Sequence, residues 1–159
     1  MKDVTIYTDG GCHGNPGPGG YGVVLLSGQH RKELLGGYQR TTNNRMELLA
    51  CIMALEALKQ TCRVRLHSDS KYIVDSITKG WARRWRANNW RRNRHEKAVN
   101  PDLWARLLDL CEQHEVKFVW VKGHAGNKEN ERCDQLVQKA IADGNLKEDV
   151  NYVRPQAAS

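Results

Sequence analysis

Four acidic residues, widely separated along the chain, have side chains that could together hold divalent cations. Asp9 and Asp69 lie at the ends of segments with the alternating pattern of a strand, and Glu47 and Asp134 lie in segments with helical patterns. Two carboxylates about 4 Å apart repel each other by roughly 4 kcal/mol at an effective dielectric constant near 20. A cluster of these acids therefore needs cations, and ligands that are all oxygen favour Mg²⁺ or Mn²⁺ over zinc.

Each of these carboxylates also has an ordinary structural explanation. Glu47 could be the reciprocal partner of an Asn44 helix cap, and Asp69 could cap a helix that begins near Ser70. Asp134 could be a surface acid that pairs with a lysine or an arginine. These explanations treat the acids one at a time, whereas the order of the secondary-structure elements brings all four towards one place.

The periodicity of the sequence predicts a single α/β domain in which a mixed sheet carries helices on its faces. The predicted order is three strands, a helix, a strand, a helix, a basic segment, a helix, a strand and a final helix. The first helix would be capped by Asn43 or Asn44. The predicted strands cover about 4–8, 21–26, 32–38, 63–69 and 116–123, and the predicted helices cover about 43–59, 70–80, 100–113 and 128–142.

This order predicts that the first and fourth strands are parallel neighbours, joined by a right-handed crossover through the first helix. Ligands of open α/β sheets bind outside the carboxyl ends of the strands. Asp9 and Asp69 would then lie side by side at that edge. Glu47 would lie in the first turn of the crossover helix, and Asp134 would point to the seam beside the last helix. The sequence therefore predicts a cation site at this edge.

The glycine-rich segment GGCHGNPGPGG, which follows Asp9, is not a phosphate-binding motif. It lacks the Lys-Ser/Thr pair of a P-loop. A G-x-G-x-x-G match at Gly17, Gly19 and Gly22 is followed by VVLL, which has the composition of a strand, whereas a dinucleotide site requires a helix there. We interpret Gly14 to Gly20 as the turn of a wide β-hairpin.

The positive charge of the chain is concentrated in one segment. The 159 residues carry a net charge of +7, and residues 79–97 alone contain eight lysines and arginines against one acid. The rest of the chain is neutral. Trp81, Trp85 and Trp90 alternate with these arginines. Exposed tryptophans among arginines suit base stacking and phosphate contact together, which favours a nucleic-acid partner over a merely solvated basic face.

The sequence also indicates a compartment. No signal-like N-terminal segment and no apolar run of membrane-spanning length is present. The five cysteines form neither a C-x-x-C pair nor a zinc-ligand spacing. We expect a soluble, monomeric, cytoplasmic protein with free thiols.

Four sequence blocks closely resemble the bacterial type 1 ribonuclease H family. The blocks follow the order and spacing of that family, and the similarity extends to about residue 143. The blocks read YTDGGCHGNPGPGGYG, TTNNRMELLA, SDSKYIVDSI and WVKGHAGNKENERCDQL. The resemblance implies a ribonuclease H-like fold, which is a five-stranded mixed sheet of three antiparallel strands followed by two parallel strands. Helices would cover both faces, and a basic protrusion would extend over about 79–97.

The same resemblance implies a catalytic domain at 1–143 and a polar C-terminal tail at 144–159, which we expect to be loosely held. It implies an endonuclease that hydrolyses the RNA strand of RNA–DNA hybrids and leaves 3′-hydroxyl and 5′-phosphate ends. Two Mg²⁺ ions, with Mn²⁺ able to substitute, would bind Asp9, Glu47, Asp69 and Asp134. His124, on the GHAGN loop, would assist catalysis or product release.

The resemblance also implies which residues contact the hybrid. On the RNA side, backbone groups at three positions and three side-chain amides would act with Glu47, and the basic segment would grip the DNA strand. These residues are Gly10, Gly11, Cys12, Asn15, Asn43 and Asn44 on the RNA side, Lys71 beside the acidic cluster, and Trp81, Arg84, Trp85 and Lys97 on the protrusion. Lys71 stands where the family commonly has glutamine, and Gly11 stands where serine is common.

Three other interpretations remain open at the level of the sequence. The chain could be a DNA-acting nuclease of the same superfamily, although that class lacks this combination of blocks. It could be a hybrid-binding module without catalysis, although none of the four acids is missing. It could be a domain of a reverse transcriptase, although Met1 lies just before the first strand and favours a free-standing protein.

Overall fold

A computed structural model describes residues 1–123 and 125–152. The predicted order of strands and helices is confirmed, and the basic segment adds one short helix. The elements are β1 Lys2–Cys12, β2 Gly17–Ser27, β3 His30–Thr41, α1 Asn43–Glu56, β4 Cys62–Ser68, α2 Lys71–Thr78, α3 Trp81–Ala87, α4 Pro101–Gln113, β5 Glu115–Trp120 and α5 Lys128–Ala142.

The sheet has five strands in the order β3-β2-β1-β4-β5. The first three strands of the chain pair in antiparallel fashion, whereas β4 is parallel to β1 and β5 is parallel to β4. The predicted parallel pairing of the first and fourth strands is therefore confirmed. Thr8 lies opposite Ser68, so the residues that follow them, Asp9 and Asp69, reach the same edge of the sheet.

Helices cover both faces of this sheet. Helix α5 packs on β1, β2 and β3, and α1 packs on β1 and β2 with α4 against its outer side. Because α1 lies between the sheet and α4, the helix is buried around most of its circumference. Its buried residues include Met46, Leu48, Leu49, Ala50, Cys51, Ile52, Ala54 and Leu55. None of the helices in the described part of the chain is long and apolar enough to cross a membrane.

The helix caps differ from those that the sequence predicted. Thr42 caps α1, because its side-chain oxygen accepts a hydrogen bond from the backbone N–H of Arg45, whereas Asn43 already lies inside the helix. Ser70, not Asp69, caps α2 by accepting from the N–H of Ile73 at 3.3 Å. The capping explanation for Asp69 is therefore wrong, since a serine performs that task.

The C-terminal segment is better held than we expected. The N–H of Gln39 on β3 donates to the carbonyl of Lys147 at 2.7 Å, and the N–H of Lys147 donates to the carbonyl of Gly37 at 3.0 Å. Asp149 accepts hydrogen bonds from Thr41 and Arg45. The expectation of a loosely held tail is wrong for residues 147–149, because a polar segment can be anchored by backbone pairing and a buried ion pair.

Candidate active site

The start of α1 lies directly against the end of β1, and this contact positions the first two carboxylates. A Cβ atom on Gly10 would lie 2.3 Å from the carbonyl carbon of Met46 and 2.4 Å from the backbone nitrogen of Glu47. Only glycine permits this approach. The N–H of Gly10 also donates to Asp9 Oδ1 at 2.9 Å, which orients that carboxylate.

Three of the four predicted acids meet at this edge of the sheet. Asp9, Glu47 and Asp69 each offer an oxygen atom, and these atoms all lie within 4.8 Å of one another. Asp134 on α5 lies outside this group, although its charge raises the pKa of Asp9. The structure therefore brings three acids into one cluster and places the fourth within electrostatic reach of it.

The cluster is electrostatically strained. Burial, followed by the charge of Asp69, raises the pKa of Asp9 to about 7, and the Gly10 hydrogen bond opposes this shift only in part. Burial also raises the pKa of Glu47 well above its ordinary value, and the charges of Asp9 and Asp69 raise it further. Buried like charges disfavour ionisation unless a cation balances them.

One oxygen of the cluster lacks a hydrogen-bond partner. Glu47 Oε2 is buried, and it makes no hydrogen bond in the described part of the chain. The alternative in which Glu47 is the partner of an Asn44 cap is wrong, because Thr42 caps α1 and Asn44 lies inside the helix. Native proteins rarely leave a buried carboxylate oxygen without a hydrogen bond, because nothing then offsets the free-energy cost of removing the oxygen from water. The acidic, all-oxygen donor set and this orphaned oxygen fit a divalent cation such as Mg²⁺.

Amide side chains extend the site along the turn after β1. Asn43 Oδ1 accepts a hydrogen bond from the N–H of Cys12 at 2.8 Å, and Asn15 Oδ1 accepts from the N–H of Asn43 at 3.1 Å. Asn44 is exposed beside them. The predicted contact residues Asn15, Asn43, Asn44 and Cys12 are thus next to one another, and Gly10 and Gly11 connect them to Asp9.

The basic segment presents a groove, but one of its three tryptophans is buried and the other two are half-buried. Trp85 is only 8% exposed, and its ring packs edge-on against Trp104 with centroids 5.8 Å apart. The expectation that Trp85 stacks from an exposed position is wrong, because its ring belongs largely to the core. A groove of about 470 Å³ runs over it and is lined by Trp81, Arg84, Trp85, Ala87, Asn88, Arg91 and Arg92.

Comparison with known proteins decides the family. A sequence model described as RNase H matches residues 1–142. The chain belongs to the ribonuclease H family.

Relatives in this family are close. A ribonuclease H of Syntrophus aciditrophicus is 66% identical over 152 residues, which are 96% of this chain and 88% of that protein. A ribonuclease HI of Synechocystis is 59% identical over 140 residues, which are 87% of this chain and 88% of the relative.

Solved structures of the family share the fold. LC9-RNase H1, described as a type 1 RNase H with the type 2 active-site motif, superposes with a TM-score of 0.81 at 32% identity, over 90% of this chain and 74% of that chain. LC11-RNase H1, solved in complex with an RNA/DNA hybrid, has a TM-score of 0.67 at 27% identity, over 88% of this chain and 97% of that chain.

The remaining predicted site residues of this ribonuclease H family member are placed as follows. Lys71 is exposed, and its Nζ lies 5.9 Å from the centroid of the Trp120 ring. Lys97 is exposed and its backbone bridges to Arg91. His124 lies outside the described residues, so its predicted role stays a prediction.

Sequence reasoning missed several residues near this site. Trp120 is 47% exposed, and its Nε1 donates to the backbone carbonyl of Asp69 at 3.2 Å. Arg40, Asn100 and Tyr152 line a groove next to Asn43. Trp120 could have been noticed, because an aromatic residue at a strand end precedes the GHAGN loop. The other three lie in segments without a motif, and only the fold brings them together.

Proposed function

We propose that this protein is an endonuclease that hydrolyses the RNA strand of RNA–DNA hybrids and leaves 3′-hydroxyl and 5′-phosphate ends. The observation that carries the proposal is the half-buried cluster of Asp9, Glu47 and Asp69, whose carboxylate oxygens lie within 4.8 Å of one another. Membership of the ribonuclease H family supports the same reaction.

The cofactor in this proposal is Mg²⁺, with two ions in the reacting complex and Mn²⁺ as a possible substitute. Asp9, Glu47 and Asp69 would hold the ions, and Asp134 would complete the ligand set from α5. Bound divalent ions supply an activated water nucleophile and neutralise charge on the leaving oxygen. The protein contributes the fixed spacing of the carboxylates, which the Gly10 contact and the parallel pairing of β1 with β4 determine.

Selectivity for RNA requires groups that reach the 2′-hydroxyl across a wide and shallow minor groove. The side chains of Asn15, Asn43 and Asn44 and the backbone of Gly10 and Gly11 are suitable, since amides both donate and accept hydrogen bonds. The structure of LC11-RNase H1 with an RNA/DNA hybrid makes such a hybrid the preferred candidate substrate here. The arginines of the groove at Trp81 would contact the phosphates of the DNA strand.

His124 would assist proton transfer or product release, because a histidine can change its protonation state near neutral pH. We also propose that the protein is monomeric and cytoplasmic. All five cysteines are free thiols, which supports a reducing compartment.

A strand-labelled cleavage assay tests the proposal. The protein is incubated with matched RNA–DNA hybrid, duplex DNA and duplex RNA, each with Mg²⁺ or with EDTA. We expect internal cuts in the RNA strand of the hybrid only, and only with Mg²⁺. Cleavage of duplex DNA alone would instead support a DNA-acting nuclease. Binding of the hybrid without any cleavage, in both Mg²⁺ and Mn²⁺, would support a non-catalytic binding module.

A further inference from the structure

A second groove adjoins the predicted RNA-side amides and includes residues that no motif identifies. This groove has a volume of about 510 Å³ and lies beside Asn43 and Asn44. The groove is also lined by Val99, Asn100 and Tyr152, which come from the segment before α4 and from the C-terminal segment. Residues 147–152, which we name the C-terminal strap, therefore reach the surface on which the proposed function depends.

Two sets of bonds fix the strap in place. Lys147 pairs with β3 through two backbone hydrogen bonds of 2.7 and 3.0 Å. Asp149 then accepts from Arg45 Nε at 2.8 Å and from Thr41 Oγ1 at 2.7 Å. The backbone N–H of Tyr152 donates to the carbonyl of Asp149 at 3.1 Å, so the position of Tyr152 follows from that of Asp149.

Arg45 connects this strap to the rest of the site. It is only 2% exposed, and its guanidinium also binds both carboxylate oxygens of Asp102, at 3.0 and 2.8 Å, and Asn100 Oδ1 at 3.1 Å. A buried charge of this kind is retained only where all its partners are well placed, because removing one partner leaves an uncompensated charge. Arg45 lies in the first turn of α1, between Asn44 and Glu47.

The lining of the groove suits a sugar–phosphate backbone. Pro16, Val99 and Tyr152 offer apolar surface, Asn15, Asn43, Asn44 and Asn100 offer amides, and Arg40 offers a positive charge. The tyrosine ring can pack against a sugar or a base, while its hydroxyl bonds to a phosphate or a sugar oxygen.

We infer that Tyr152 is a substrate-contacting residue and that the C-terminal strap is part of the surface that binds the hybrid. This inference rests on the proposed function. It extends the proposed binding surface to a segment of the chain that lies outside the predicted catalytic domain. Asp149 is a positioning residue in this scheme, because it acts by holding Tyr152 and the first turn of α1 rather than by touching the substrate.

Steady-state cleavage of the hybrid by Tyr152→Ala and Tyr152→Phe variants of the full chain tests the contact. For Tyr152→Ala we expect KM to rise by about fivefold or more, kcat to stay within about twofold, and the melting temperature to be unchanged, because stacking on an aromatic ring contributes substantially to binding. Tyr152→Phe should have an intermediate KM, because it keeps the ring and loses the hydroxyl.

The positioning role is tested by Asp149→Asn against the matched control Asp143→Asn, which makes the same change at an exposed residue outside the strap. Asp149→Asn should raise KM, and the double variant with Tyr152→Ala should raise it by less than the product of the two single effects, because both act through one contact. Asp143→Asn should leave KM unchanged.

The outcomes separate this inference from the proposed function. If the unmodified protein cleaves the hybrid and Tyr152→Ala keeps the original KM, the inference is wrong and the proposed function stands. A higher KM for Asp149→Asn alone would mean that the strap is merely structural, which also overturns the contact. If the unmodified protein does not cleave the hybrid at all, the proposed function itself fails.

Discussion

Gly10 and Glu47 lie so close together that a Cβ atom on Gly10 would be 2.4 Å from the backbone nitrogen of Glu47. This distance explains why a glycine directly follows Asp9 in β1. The glycine allows the helix that carries Glu47 to approach Asp9, and the separation of the two carboxylates depends on that approach.

Gly10→Ala should therefore disturb both stability and catalysis. The atoms that the new methyl group meets belong to the backbone of α1, which cannot rotate away, so the helix must shift. We expect a loss of about 1–3 kcal/mol in the free energy of unfolding, measured with urea, and a clear fall in kcat. Gly11→Ala is the matched control, because its Cβ would lie 3.8 Å from the nearest atom, Asn43 Oδ1. Equal effects of the two substitutions would contradict this account.

Removal of one charge from the cluster should nearly abolish cleavage. Asp9→Asn or Asp69→Asn keeps the size of the side chain and removes an anionic ligand, so kcat should fall by at least about a thousandfold, or about 4 kcal/mol in the barrier. Asp3→Asn, at the opposite end of β1, is the control and should keep the original rate. Near-normal turnover in either cluster variant would rule out the metal assignment.

The stability of the metal-free protein should depend on pH in a direction set by Asp9. Its pKa is about 7 in the folded protein against an ordinary value of 3.8, so folding favours the protonated carboxyl. This contribution is fully present below pH 4 and is lost as the pH rises to about 7 and above. Urea unfolding in EDTA should show stability falling between pH 5 and pH 7, and Asp9→Asn should reduce this slope. A flat profile in the unmodified protein would show that the cluster is not strained.

Mg²⁺ should restore part of the stability that the protein loses when the carboxylates of the cluster ionise. A cation that binds the folded cluster and not the unfolded chain stabilises the protein by mass action. The increase in melting temperature on adding Mg²⁺ should be larger at pH 8 than at pH 5. At pH 8 the carboxylates are ionised, so Mg²⁺ does not compete with protons for them. Asp69→Asn should show a smaller increase. The same increase at both pH values would locate Mg²⁺ binding elsewhere.

The sequence predicted the sheet and the carboxylate edge better than it predicted the surfaces around them. Strand alternation and the right-handed crossover rule were sufficient to place Asp9 and Asp69 as neighbours, because both rules are local or topological. The burial of Trp85 could not be predicted, since α3 has only seven residues and too few turns to show a periodic face. The bond from Arg45 to Asp149 joins residues 104 positions apart, and no local pattern signals it.

The arginines of the protrusion should account for part of the salt dependence of hybrid binding. Replacing Arg84, Arg91 and Arg92 with glutamine should weaken binding and reduce the slope of log K against log salt by up to about 0.9 for each lost phosphate contact. A matched triple variant of Arg63, Arg106 and Arg132, which pair with acids elsewhere on the surface, has the same charge change. If both triple variants change the slope equally, the effect is one of net charge and not of contact.

Trp81 and Trp85 should respond to substitution in opposite ways, although they lie one turn apart on α3. Trp85 packs between Tyr72 and Trp104, so Trp85→Ala should lower the free energy of unfolding by about 3–5 kcal/mol. Trp81 is half-buried at the groove, with Lys79 Nζ 5.4 Å from its ring centroid, so Trp81→Ala should mainly weaken hybrid binding. Urea unfolding and equilibrium binding to the hybrid, measured on both variants, separate the two roles. A Trp85→Ala variant with an unchanged free energy of unfolding would contradict the structural role assigned to this ring.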